Sequence, residues 1–310
     1  MHRHGKRAFF LHEVSSLYAV SGMSELAEIV EILEGFVPVN LEGIAAVRYM
    51  NRVDTKYLFS SGRLPELLRG VQQHYSALEI ENMREFPYKT VYFDTPDLLF
   101  YTQHITGKLN RTKVRIRTYE SNGLTFLEVK QKSNKGRTCK SRLEKEPGDM
   151  NHIEQSREFL NELVSPEAAA LKPVITTSFT RITLVNLERS ERITIDYNLA
   201  WNNFRGDSLR MPFLAIAEIK SDKSTAMSPF FLMLKEMGVR RTGFSKYAVG
   251  MALVNRTERQ NNLKPKFLLI NRIRDEYYRN DAARHQCSHR KCLASQDYRS
   301  CCCVSASTSW

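Results

Sequence analysis

The sequence predicts an α+β fold dominated by antiparallel strands. Between Val47 and Asn255, short segments rich in Val, Ile, Thr, Tyr and Phe follow one another, and several alternate cleanly between polar and apolar residues. Asn122-Gly123 separates two of them, a dipeptide suited to the primed turns of β-hairpins because both central positions favour such residues. Helical periodicity is confined to a few segments, and no internal repeat is evident.

In chain order, Leu26, Ile29, Val30 and Leu33 follow helical spacing and Gly35 stops them, so residues 23–50 read as a helical lead-in. Expected strands are Thr55–Ser60, Ser76–Ile80, Tyr88–Asp94, Thr112–Glu120, Leu124–Lys132, Arg137–Lys145, Thr176–Val185, Arg192–Asn198 and Phe213–Ser221. Asn134 to Gly136 is expected to turn one further pair. Expected helices are Leu64–His74, Ile153–Val164, Pro229–Met237 and Phe244–Val254. The third of these has Ser228 as cap, Pro229 at the first helical position and Gly238 just past its end.

At 310 residues the chain can bury a sizeable core, and 42% hydrophobic residues exclude a disordered chain. The longest apolar runs, such as Phe213 to Ala217 and Phe230 to Leu234, are too short to span a bilayer. Net charge is +12 and the pI is near 9.4, which favours a polyanionic partner: nucleic acid, an anionic membrane face or polyphosphate. Arg3, Lys6 and Arg7 precede an apolar stretch that His12 and Glu13 interrupt, with no small-residue cleavage site, so a secretory signal is not expected. Five of the six Cys lie in the last 24 residues, whereas a disulfide-built secreted domain would spread them through the fold. The expected compartment is the cytoplasm.

Three zones are therefore expected: residues 1–22 as an extension outside the core, 23–275 as one domain, and 276–310 as a disordered basic tail that contains cysteines. In that tail His285, Cys287, His289 and Cys292 have spacings that zinc could use. The three Cys at 301–303 and the lack of a surrounding fold argue against a site.

The stretch Lys108 to Lys145 holds twelve Lys or Arg and only three Glu. Alternate residues of a strand share a face, so Lys113, Arg115, Arg117 and Tyr119 lie opposite Val114, Ile116 and Thr118. Glu128, Lys130 and Lys132 likewise oppose Leu127 and Val129, and Lys140, Arg142 and Glu144 oppose Cys139, Ser141 and Leu143. A solvated sheet face is one reading. Solvated faces normally mix signs, however, and like charges on neighbouring strands cost stability unless an anion compensates them. The alternation recurs at Arg181–Thr183, at Arg192–Thr194–Asp196 and at Glu218–Lys220. A sheet curled into a barrel would turn all of these faces into a basic tunnel with a few carboxylates.

Several of these segments carry a family resemblance. Arg115-Ile-Arg117, Glu128-Val-Lys130, Ser178-Phe-Thr-Arg181, Ala217-Glu218-Ile-Lys220 and Phe244-Ser-Lys246-Tyr247 resemble the VTC (vacuolar transporter chaperone) domain. That domain is the polyphosphate polymerase module of the triphosphate tunnel metalloenzymes. Asn51-Arg52-Val-Asp54-Thr-Lys56-Tyr57 is similar to its opening strand and Val91-Tyr-Phe-Asp94-Thr95 to a later one, and the resemblance covers roughly residues 25 to 270.

The resemblance implies a closed antiparallel barrel of eight strands with flanking helices. It implies that Arg115 and Arg117 grip phosphate oxygens, with Lys130 and Lys140 beside them, at the centre of the chemistry. Guanidinium forks pair two oxygens at once and lysine acts as a point charge, in keeping with that role. Lys56, Arg142, Arg181, Arg192, Lys220, Ser245 and Lys246 would complete the phosphate-binding lining. Ser245 would also cap the helix that follows it. Glu218 falls where the family holds its metal, and a hard ion such as manganese or magnesium needs one carboxylate plus phosphate oxygens and water. Glu128 and Glu144 are weaker second ligands, because each could equally orient neighbouring bases. Tunnel triphosphatases usually open with two glutamates and a lysine at alternate positions, whereas here those positions are Arg52, Asp54 and Lys56.

The expected function is therefore a metal-dependent polyphosphate polymerase that takes the γ-phosphate of ATP. The alternatives are a tunnel triphosphatase and a polyphosphate-binding sensor without turnover. Nucleic acid is not an expected partner, since interleaved aromatics for base stacking are not evident.

Overall fold

The computed structural model describes residues 19–45 and 53–294, apart from 136, 151, 165 and 222–226. Helix α1 (Ala19–Glu34), strand β1 (Val37–Val39) and helix α2 (Leu41–Ala45) lead into β2 (Val53–Ser60), α3 (Leu64–Val71) and β3 (Ser76–Leu78). Then follow β4 (Glu85–Asp94), α4 (Leu99–Ile105), β5 (Arg111–Tyr119), β6 (Thr125–Lys132), β7 (Thr138–Lys145) and α5 (Arg157–Val164). The chain continues through β8 (Lys172–Asn186), β9 (Glu191–Asn202), β10 (Ser208–Met211), β11 (Leu214–Ser221), α6 (Pro229–Glu236), α7 (Lys246–Leu253) and α8 (Lys264–Ala294).

Eight strands form one antiparallel path in the order β2-β11-β9-β8-β4-β5-β6-β7, with β1, β3 and β10 attached beside it. The α+β class and the eight-stranded path match the expectation. The closed barrel does not: among the described residues no ladder joins β2 to β7. Strand β7 is exposed on both faces, Leu143 among them, and it carries Lys140 and Arg142 while β2 carries Lys56. Like charges directly opposite one another weaken strand pairing, which gives these two ends little reason to zip.

Apolar alternation decides which face each strand covers. Val114, Ile116, Leu127 and Val129 pack with Leu160 and Val164 of α5. Ile182, Leu184, Ile193, Ile195, Ala217 and Ile219 pack with Leu64, Leu67 and Leu68 of α3 and with Phe230 and Leu234 of α6. The outer face is thus covered by helices, and the alternate, charged residues turn to the inner one. Much of that face is closed to solvent, since Arg117, Glu128, Thr183, Thr194 and Asp196 are buried, while Lys130 and Lys140 are exposed toward its edge. The sheet curls strongly enough for its distant strands to interact, because Glu218 of β11 and Asp54 of β2 both act on the charge of Lys130 in β6.

The hairpin at Asn122-Gly123 forms, but only Gly123 is left-handed (φ 72°). Its amide and that of Asn122 both donate to the Tyr119 carbonyl, so the turn is wider than a two-residue primed turn. The turn expected at Asn134 to Gly136 falls partly outside the described residues, and Ser133 N–H donates to the Arg137 carbonyl beside it.

The boundaries at the chain ends also differ from the expectation. Helix α1 starts at Ala19 rather than 23. Helix α8 runs without a break across residue 275 to Ala294, and it buries Phe267, Ile270, Ile273, Tyr277 and Asp281. Over residues 276–294 the chain is therefore helical, with Tyr277 and Asp281 buried, and the rest of the expected tail, 295–310, lies outside the described residues. The side chains of His285, Cys287, His289 and Cys292, and residues 301–303, lie outside the described residues. No helix among the described residues is long and apolar enough to cross a membrane.

Candidate active site

Strand register builds the site in rows. Lys113 of β5 stands opposite Lys130 of β6, which stands opposite Lys140 of β7. The next row is Arg115, Glu128 and Arg142, and the one after it is Arg117, Phe126 and Glu144. Glu128 is the acid among these bases: Arg115 Nη2 lies 2.6 Å and Arg117 Nε 4.0 Å from its Oε2, and Lys140 pairs with Oε1. Burial opposes its charge, but Arg115, Arg117 and Lys140 outweigh burial and hold the carboxyl well below the usual range. With both oxygens engaged, Glu128 orients the bases around it. Glu144 is exposed on the edge strand, in register with Phe126. Arg142 lies over the Phe126 ring with its guanidinium carbon 5.0 Å from the centroid.

Beyond β4 the pattern continues on β8, β9, β11 and β2. Arg181 holds Asp196 through two parallel hydrogen bonds, Nε to Oδ1 at 2.6 Å and Nη2 to Oδ2 at 2.8 Å. Lys246 joins the same carboxylate and also sits over the Phe179 ring at 4.0 Å. Glu218 pairs with Lys56 at 2.5 Å and Lys220 at 3.4 Å. Burial again opposes this acid, and Lys220 and Lys56 keep its pKa well below the usual range. Arg192 is the register partner of Lys220. Burial, with Arg192 and Arg181 acting alongside, lowers Lys220 to about 8 against the pull of Glu218.

The inner face also holds unmet hydrogen-bonding capacity. Arg117, Thr90 and Thr177 are register neighbours across β5, β4 and β8. Arg117 Nε and the hydroxyls of Thr90 and Thr177 are buried without hydrogen-bond partners. Three donors in a row suit a ligand rich in acceptor oxygens.

Helix α7 closes one end of the concave face. Ser245 caps it by accepting from Ala248 N–H at 3.2 Å, and Lys246 is its first residue. Trp201 of β9 donates from Nε1 to the Lys246 carbonyl at 2.9 Å. A Cβ on Gly250 would lie 2.3 Å from Trp201 Cδ1, so this close approach requires glycine. Tyr247 donates to Asp94, whose carboxylate also accepts the amides of Thr95, Phe100 and Tyr101. Asp94 thereby ties α4 and α7 to β4 and acts on the site through Lys246 and Ser245. Outside this end a cavity of about 900 Å³ is lined by Asp54, Lys56, Arg111, Lys132, Arg241, Ser245 and Lys266, with His104 at its wall.

The structure therefore brings together Lys56, Arg115, Arg117, Lys130, Arg181, Arg192, Lys220, Ser245, Lys246 and Glu218 on one inward face. Lys140, its side chain 43% exposed, and Arg142 stand at its edge. Arg52 lies outside the described residues. In the sequence Asp196, the shared partner of Arg181 and Lys246, is legible only as one member of an alternating strand. Lys113 is visible on the charged face, but no family motif marks it. Among the described residues no three of His, Cys, Asp and Glu cluster as a metal site. Glu218 and Asp54 are register diagonals on adjacent strands, and their hard oxygens fit a magnesium-like ion that takes its remaining ligands from phosphate and water.

A curled antiparallel sheet that turns a cationic face inward is the arrangement of the triphosphate tunnel proteins. Within that class the chain belongs to the VTC domain family, whose profile matches residues 51–255. No curated protein matches the sequence. Among solved structures, a Bacillus halodurans protein named as a candidate adenylate cyclase is 19% identical, with 63% of this chain and 96% of that chain covered at a TM-score of 0.40. A Hippeastrum protein named as a candidate adenylyl cyclase with dominant triphosphatase activity is 14% identical, covering 65% of this chain and 95% of its own at 0.41. A Pyrococcus horikoshii protein is 15% identical, covering 66% and 100% at 0.37.

Proposed function

We propose that the protein is a metal-dependent polyphosphate polymerase that moves the γ-phosphate of ATP onto the end of a polyphosphate chain held against the inner face. The observation that carries this reading is the in-register row Lys113, Lys130 and Lys140 beside Arg115 and Arg117. Like charges so placed repel one another, and a chain of phosphates relieves that repulsion along its whole length.

Phosphoryl transfer leaves the protein positioning and charge stabilisation rather than covalent work. Arg115, Arg117 and Arg181 grip non-bridging oxygens with guanidinium forks. Lys130, Lys140, Lys220 and Lys246 offset the repulsion between the two phosphate ends, which is the main electrostatic obstacle to joining them. A terminal oxygen of the resident chain bonds to the γ-phosphorus, the bond to the β–γ bridging oxygen breaks, and ADP leaves with that oxygen. A manganese or magnesium ion held by Glu218, with Asp54 beside it, would supply further neutralisation of phosphate oxygens. The cysteine distribution supports the cytoplasm as the compartment.

One observation favours a second reading, a triphosphatase: two carboxylates, Glu218 and Asp54, share the inner face and could orient water. Incubation with labelled ATP and manganese or magnesium separates the readings. Acid-insoluble polymer in preference to orthophosphate is expected, and Glu218→Gln should abolish it while retaining polyphosphate binding. Label found only as orthophosphate from the outset would make the protein a triphosphatase. Polyphosphate binding without ATP consumption would make it a sensor.

A further inference from the structure

Lys113 has a setting unlike that of the acid-paired cations of the inner face. Glu218 and Asp196 hold Lys56, Lys220, Lys246 and Arg181, and Glu128 holds Arg115 and Lys140. The four strongest charges acting on Lys113 are instead all cations: Lys130 of β6, Arg115 and Arg111 of β5, and Lys56 of β2. Helix α4 adds His104, whose Nδ1 is buried without a hydrogen-bond partner. Burial, with Lys113 and its neighbours, lowers that imidazole to about 3, so it is neutral. Helix α7 presents Ser245, and Lys113 Nζ donates to its hydroxyl at 3.1 Å.

That contact fixes what the pair can bind. Ser245 Oγ accepts from both Lys113 Nζ and Ala248 N–H, which occupies its two lone pairs and leaves its O–H to donate. The ammonium of Lys113 keeps further N–H groups and accepts nothing. With the lysine charged, two side chains from opposite sides of the concave face thus meet as donors only.

We propose that Lys113, bridged to Ser245, is a phosphate contact whose positive charge is completed by a proton drawn from solvent as the phosphate binds. This rests on the polyphosphate reading above. In the empty protein, burial and then Lys130, Arg115, Arg111 and Lys56 lower the lysine to about 7, so near neutral pH it is only partly charged. A phosphate oxygen within hydrogen-bonding distance restores the ammonium. The sign is diagnostic. Rising pH adds negative charge to a phosphate chain and by itself strengthens binding to fixed cations, whereas discharge of Lys113 weakens it.

The test is calorimetric titration of the full chain with tripolyphosphate, in buffers of unlike ionisation enthalpy, between about pH 6.5 and 8.5. Wild type should take up protons on binding. Lys113→Gln should weaken binding about tenfold or more, as for the loss of a charge-assisted hydrogen bond. Lys113→Arg, charged throughout, should bind within about threefold of wild type but take up measurably less proton, the difference cancelling the probe's own titration. If Lys113→Gln bound as wild type while Arg115→Ala was weakened, the Lys113 proposal would fall and the polyphosphate reading would stand. Absence of tripolyphosphate binding by wild type would sink both. Should Lys113→Gln fail to melt cooperatively, the arginine variant decides alone, and undiminished proton uptake in it overturns the proposal.

Discussion

Glu128 is only 2% exposed, yet Arg115, Arg117 and Lys140 all converge on it. Removing an acid from such a cluster leaves several bases uncompensated in a poorly solvated place. Glu128→Gln, which keeps the shape, should therefore cost on the order of 3–5 kcal/mol in denaturant unfolding, and added tripolyphosphate should restore part of it. A loss well under about 1 kcal/mol would mean that the three bases are solvated after all. The carboxyl is depressed in the folded state, so its contribution is fully present above the unfolded carboxylate range and is lost as pH falls below that range through the depressed folded value. Strand alternation alone sets Glu128 amid bases, and the family resemblance supplies the phosphate roles around it. Neither reaches the partnership of Lys113 with Ser245, because residues 132 apart in the chain meet only once the sheet has curled.

The strands are legible in the sequence because period-two alternation runs through each long one, and their expected spans mostly fall within a few residues of those observed. The misses are physical. Strand β1 is three residues long and contains Pro38, too short for any period to show. Helix α4 begins after Leu98, which is left-handed and offers no side-chain cap. Helix α8 has a thin apolar stripe of Phe267, Ile270, Ile273 and Tyr277 set among many charges, so composition conceals its spacing. Tyr278 of the same helix meets Phe213 with ring centroids 6.3 Å apart. Ending the chain after Asp275 removes the buried Tyr277 and Asp281 and the half-buried Tyr278, and burial of a large apolar side chain such as that of Tyr277 is worth about 1.5–3 kcal/mol. Thermal melting of that truncation should fall clearly below the full chain. An unchanged melting temperature would return the boundary to residue 275.

For the whole molecule, the enclosed cations govern how stability follows pH. Burial, helped by neighbouring cations, lowers Lys113 to about 7 and both Lys220 and Lys246 to about 8, against about 10.4 in an unfolded chain. Below those values each lysine is charged in both states. Above them the folded protein has released protons that the unfolded chain still binds, so stability rises with pH until the unfolded lysines titrate. The melting temperature of the ligand-free protein should accordingly climb from about pH 6.5 to about pH 9.5, and saturating tripolyphosphate should flatten the climb. A flat or falling profile without ligand would contradict the enclosed state of these lysines. The unpaired end of the sheet has a consequence for how molecules meet one another. Among the described residues strand β7 pairs only with β6 and is exposed over most of its length, so its outer row of amides and carbonyls resembles a template for a neighbour's strand. Lys140 and Arg142 stand exposed along that strand, and two such edges drawn together would bring like charges close to one another. The lysine and arginine of the rim are thus placed as gatekeepers against edge-to-edge pairing, where a neutral open edge would invite it.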